Sequence, residues 1–289
     1  MMKRFIFGSL LRKLPLFIIL TVVFASISIF SSINIDFIIR YNEIGNGYYF
    51  ANFNEPGFTG LVVFFFIMMM VLPLFSMNYR YSLAKSDVYR QVAFKSKHIR
   101  YAEHLSTLVT VLISFTFAFI LLVSILAITN FTAHLNTSVY SPMYGIGYFN
   151  YIYFLPLYLA IVILGVAQYF ISYLIVSRSN CLRNSIITLL SGQVALLSIC
   201  IIFYIYMRDI YISSVSFVLY LGVSVGLPIG WILVIFTPAV LYNENWFTTL
   251  YSETQNIGYT YFVIIFSAVV FFGLAILGLI VFIKEKDPS

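Results

Sequence analysis

The chain has 289 residues, of which 62% are hydrophobic and 9% charged, with a mean hydropathy of +0.99. A soluble globular chain carries about 25% charged residues, so that class is excluded. The formal net charge of +6 follows from 16 Lys and Arg against 10 Asp and Glu. In a chain this apolar, that excess marks loop orientation and not nucleic-acid binding.

Residues 1–13 are basic, with Lys3, Arg4, Arg12 and Lys13 ahead of the first apolar run at 14–35. That run exceeds the roughly 7–15-residue core of a signal peptide, so it reads as a retained span. Five further runs lack Asp, Glu, Lys, Arg and His: 58–79, 105–130, 151–177, 185–207 and 259–283. Each meets the roughly 20 apolar residues that a 30 Å hydrocarbon core requires. Continuous runs, rather than alternating ten-residue segments, argue for helices over a barrel.

Between spans one and two, residues 36–57 carry Asp36, Glu43 and Glu55 among Asn, Gly and Tyr. Residues 131–150 hold His134 and no other charged or titratable side chain except tyrosine. The glycosylation triplets at Asn130 and Asn136 matter only in a eukaryotic secretory pathway. Between spans two and three, residues 79–104 form the one substantial basic loop, with Arg80, Lys85, Arg90, Lys95, Lys97 and Arg100. Within it Val88 and Val92 are four apart, as are Tyr89 and Ala93, which gives a short helix one apolar face. Such a helix rests on lipid headgroups or seats in a partner's groove, anchored by Tyr89 and Phe94; both readings stand. His98 and His104 flank the segment without acidic or cysteine company, and read as interfacial histidines, not metal ligands.

Lys and Arg gather on cytoplasmic loops. With the N-terminus inside, all but Arg40 and Arg208 of the 16 fall inside, provided that the last span returns inward to Lys284 and Lys286. That arrangement takes six crossings and leaves 212–242 with both ends outside. Gly226, Pro228 and Gly230 break its middle and Pro238 its second half, so it reads as a re-entrant helical hairpin dipping in from outside. The alternative is a seventh span, which would put Lys284 and Lys286 outside. The expected fold is therefore an all-α polytopic membrane protein of one domain over 1–289, with both termini cytoplasmic.

The chemistry is notable for what it omits. The six apolar runs contain no ionisable residue apart from tyrosine and cysteine, which disfavours a proton-driven pump. No H-E-x-x-H and no G-x-x-x-x-G-K-[ST] occurs, so neither a zinc hydrolase nor an ATP-binding P-loop is encoded. Cys181 and Cys200 have no metal-ligand neighbours. No catalytic residue and no metal site is expected.

The stretch "LPLFSMNYRYSLAKSDVYRQVAFKSKHIRYAEHLSTLV" resembles the membrane subunits of bacterial type-2 ABC exporters. In those permeases an Asp–x–Tyr–x–x–Leu–Pro–x–x–Arg-like segment joins spans two and three. Asp87 and Tyr89 match it, and Val92, Ala93 and Lys97 hold similar places without the proline. The N-terminal stretch is similar to that family's interfacial elbow helix, with Phe7, Leu10, Leu11 and Leu14 as its apolar stripe, and 212–242 is similar to its re-entrant hairpin. The resemblance implies a plasma-membrane permease paired with a second identical or related subunit and surrounded by lipid. Separate ATPase subunits, carrying ATP and magnesium, would dock on Asp87, Val88, Tyr89, Arg90, Val92, Ala93 and Phe94. It implies an amphipathic or hydrophobic cargo: a peptide, an antibiotic or a lipid. Two alternatives stay open. One is a non-transport sensor, immunity or assembly subunit; the other is an ion-coupled carrier using the broken 212–242 region.

Overall fold

The computed structural model describes residues 8–33, 36–41, 47–52, 55–77, 96–136, 144–146, 154–179, 181–192 and 257–284. Phe7, the segment from Asp87 to Phe94, and the break at Gly226, Pro228 and Gly230 lie outside them.

The described chain is helical apart from one small sheet. Helix α1 (8–12) turns at Lys13 into α2 (Leu14–Ile33); α3 is Glu55–Ser76, α4 Ser96–Asn136, α5 Phe154–Ser177, α6 182–192 and α7 Ile257–Lys284. Proline sets three of these starts. Pro15, Pro56 and Pro156 fall in the first turns of α2, α3 and α5, where a missing N–H breaks no helical bond. Between α1 and α2 the ladder persists, because Lys13 N–H donates to Ser9 O at 3.2 Å and Phe17 N–H to Lys13 O at 2.8 Å. The N-terminal helix thus joins α2 through a hydrogen-bonded turn. Of the expected elbow stripe, Leu10 is half-buried, while Leu11 and Leu14 are exposed.

Helix α2 packs on α3 and α4, α3 on α5, and α5 on α7. Phe115 of α4 sits at the centre, edge-on to Phe24 of α2 at 5.9 Å and stacked on Phe65 of α3 at 4.1 Å. It also lies parallel to Tyr158 of α5 at 6.2 Å. Each such pair adds about 0.5–1.5 kcal/mol beyond simple burial. Small residues and hydroxyls let the helices approach closely. Ser28 Oγ donates to Ala118 O at 3.1 Å, and Thr21 Oγ1 to Ser114 Oγ at 3.0 Å, which zips α2 to α4. Gly165 lies against Phe65 and Met69, and Gly278 against the Phe170 backbone.

These contacts fix direction. The start of α2 meets the start of α4, while the ends of α3, α5 and α7 meet that same start, as Ser76, Tyr173 and Phe282 demonstrate. Helix α7 therefore runs parallel to α5, and begins at the opposite end of the bundle from where α5 finishes. Arg12, Lys13, Arg100, Arg178, Arg183 and Lys284 collect at one end, and Arg40 of β1 belongs to the other.

Two stretches, Arg100–Thr129 and Leu157–Ser177, are long and apolar enough to cross a membrane. The apolar stretches Leu14–Phe30, Gly60–Ser76 and Ala268–Lys284 are shorter. Only 39% of the first window is buried, so Ile113, Phe117, Ile120 and Ile128 face outward, as a lipid-facing surface would.

Two expectations need correcting. The stretches read as outer loops hold a sheet of order β1-β2-β3: β1 (Asp36–Tyr41) pairs antiparallel with β2 (Gly47–Asn52), which pairs parallel with β3 (Tyr144–Ile146). The loop expected over 79–104 is shorter, because α4 is already helical from Ser96. At 41 residues this helix is about 62 Å long, twice the hydrocarbon thickness.

Candidate functional site: the basic end of the bundle

The first turns of α4 carry Arg100, Tyr101, Glu103, His104, Ser106 and Thr107, and five other helical elements converge near them. On one side stands the N-terminal helix. Lys13 Nζ lies 3.1 Å from Glu103 Oε2, Ser9 Oγ donates to Glu103 Oε1 at 3.3 Å, and Ser9 and Ser106 hydroxyls are 2.8 Å apart. Glu103 is 6% exposed, and Lys13 and Ser9 are among the groups that compensate its carboxylate in place of water. Thr107 and Ser106 donate their hydroxyls to Glu103 O at 2.6 and 3.0 Å, which satisfies both without leaving the helix.

On the other side of α4 stands His104, 2% exposed. Its Nδ1 is 2.8 Å from Ser76 Oγ of α3 and hydrogen-bonded to the Tyr169 hydroxyl of α5. Its ring is edge-on to Tyr173 of α5 at 5.0 Å and to Phe282 of α7 at 5.3 Å. Tyr101 is edge-on to the same Phe282 at 4.9 Å. One imidazole therefore touches three helices besides its own. Arg100, 2% exposed, lies 5.8 Å from the Tyr101 ring centroid. Helix α6 joins through Leu189, which is buried with Tyr173 and Val176.

His104, read from the sequence as an interfacial histidine, is buried between helices at the basic end of the bundle. The bundle also holds a buried carboxylate, Glu103. Both were missed for the same reason: a search for charge-free runs stops at the first charge. It cannot see that Lys13, far away in sequence, neutralises that charge inside the fold. The spacing of Ser106, Thr110 and Ser114, with Glu103 one turn earlier, was the available signal of a polar face on α4.

No nucleophile with an adjacent base opens to solvent here, and among the described residues no group of three or more His, Cys, Asp or Glu could hold a metal ion. What the arrangement can do is transmit position. Ser76 is the last residue of α3 and His104 lies two turns into α4, so their contact ties together the two roots of the segment 78–95. Comparison with known proteins returns no match among family models, curated proteins or solved structures.

Proposed function

We propose that the chain is the membrane permease subunit of an ATP-driven exporter of the bacterial type-2 ABC class, with a separate ATPase docking on the segment between spans two and three. The observation that carries this reading is the joint at the basic end. The roots of that segment meet there, and through His104 and Glu103 they touch α1, α3, α5 and α7 and the Lys13 turn that leads into α2. A partner that moved Asp87–Phe94 would thereby move every long helix described. The parallel run of α5 and α7 supports six crossings, because an inward fourth span and an inward last span need an odd number between them. The gathering of basic residues at the joint supports that end as cytoplasmic.

The cargo in this reading is amphipathic or hydrophobic, and it moves outward along the interface with a second permease copy or a related subunit. Exchanging Tyr89→Ala and Arg90→Ala together tests the dock. The reading predicts a folded protein whose partner ATPase no longer responds to cargo, and unchanged transport contradicts it.

One observation favours a second reading, an ion-coupled carrier: Glu103 and His104 are buried ionisable groups. They sit at the end of the bundle, not its middle, and Glu103 is already paired with Lys13. Gradient-driven uptake without ATP, lost in Glu103→Gln, is the outcome that this alternative requires.

A further inference from the structure

Ser76 and Tyr169 both lie within hydrogen-bonding reach of a single atom, Nδ1 of His104. A neutral ring nitrogen carries either one proton or one lone pair, so it serves one hydroxyl in good geometry at a time. The ring cannot swing to follow its partner, because Tyr173 and Phe282 hold it edge-on at 5.0 and 5.3 Å. Ser76 has somewhere else to go. Its hydroxyl is 3.1 Å from Pro73 O, the carbonyl that also accepts from Met77 N–H at 2.9 Å.

We propose that His104 Nδ1 is a two-position latch, exchanged between Ser76 of α3 and Tyr169 of α5. In one position it bonds Ser76 and holds the roots of the segment 78–95 together. In the other it bonds Tyr169, Ser76 turns its hydroxyl to Pro73 O, and the last turn of α3 separates energetically from α4. Pro73 makes this turn the loose end of α3, because it has no N–H to give to Met69 O one turn back. The groups around the ring are Ser76 from α3, Tyr169 and Tyr173 from α5 and Phe282 from α7, with Arg100, Tyr101 and Glu103 on α4 itself. The latch therefore exchanges hydroxyl for hydroxyl without moving a formal charge. His104 acts here as a positioning residue, and the inference stands whether or not the chain is a permease.

The test is hydrogen–deuterium exchange on the full chain in detergent micelles, read at the peptide that covers Pro73–Met77. Tyr169→Phe removes one competitor and sets the latch on Ser76, so exchange at the end of α3 slows by about twofold to tenfold, the range that one net hydrogen bond commands. Ser76→Ala sets it on Tyr169, and exchange at the same peptide rises by a similar factor. Ser76→Cys, which nearly keeps the volume and weakens the bond, replaces Ser76→Ala if that variant does not accumulate. Opposite signs in the two variants support the latch. Changes of the same sign, or no change in either variant, overturn it, because a merely structural pair would loosen in both.

Discussion

Lys13 Nζ stands 3.1 Å from Glu103 Oε2, joining the N-terminal turn to the start of α4. The carboxylate is 8% exposed at its side chain and the lysine 20%, so the two lose unequally when parted. Lys13 can extend its amine toward solvent on its flexible stem, whereas a Glu103 that has lost Lys13 stays buried with its charge less well compensated. Lys13→Ala is therefore expected to destabilise the bundle more than Glu103→Gln, with Lys13→Ala costing on the order of 2 kcal/mol. Exchanging both for Met and Leu is expected to recover most of the loss. Thermal unfolding in detergent, followed by circular dichroism, checks the order of the variants.

A second prediction contrasts two glycines on one helix. A Cβ at Gly278 would run into the backbone carbonyl of Phe170, which cannot move aside without parting α7 from α5. A Cβ at Gly273 meets nothing within 4 Å among the described residues. Gly278→Ala is expected to cost roughly 1–3 kcal/mol, as overpacking does. Gly273→Ala is expected to be neutral or mildly stabilising, by up to about 1 kcal/mol from helix propensity. The same unfolding assay separates them.

Ser172 gives a prediction of the opposite sign. It is fully buried in α5, and among the described residues its hydroxyl finds no hydrogen-bond partner. Removing a buried polar group that is unsatisfied returns the desolvation it costs, about 1 kcal/mol or more. Ser172→Ala is expected to raise the unfolding temperature. A fall would mean that the hydroxyl has a partner in the folded membrane form.

Orientation can be read chemically. Cys181 is exposed and lies beside Arg178 and Arg183 at the basic end. In a Cys200→Ser background, a membrane-impermeant maleimide is expected to label Cys181 only after cells are permeabilised. Arg40→Cys, placed in β1 at the other end, is expected to label in intact cells once Cys181 is also replaced by Ser.

The positions of the helices were legible from composition alone. The runs 14–35, 58–79, 151–177 and 259–283 correspond to α2, α3, α5 and α7, because a long buried apolar stretch satisfies its own backbone most simply as a helix. The start of α4 was not legible in the same way. Ser96–His104 is polar in sequence and helical in the fold, stabilised by Lys13, Ser9, Ser76 and Tyr169 from distant segments. The sheet left a fainter trace. Aromatic-rich runs at Asp36–Tyr41 and Gly47–Asn52 flank five residues that include Gly45, a hairpin signal obscured by the Asn and Tyr that also suit a loop. His104 illustrates the limit most clearly: its role depends on three helices whose juxtaposition no local pattern encodes.

In the function proposed above, another protein supplies the energy and grips the segment between α3 and α4. The most direct measurement is purification from native membranes in mild detergent, with every accompanying chain identified and ATPase activity assayed. The account predicts a stoichiometric cassette ATPase whose retention is lost in Tyr89→Ala with Arg90→Ala. A bare oligomer without nucleotidase activity would contradict it.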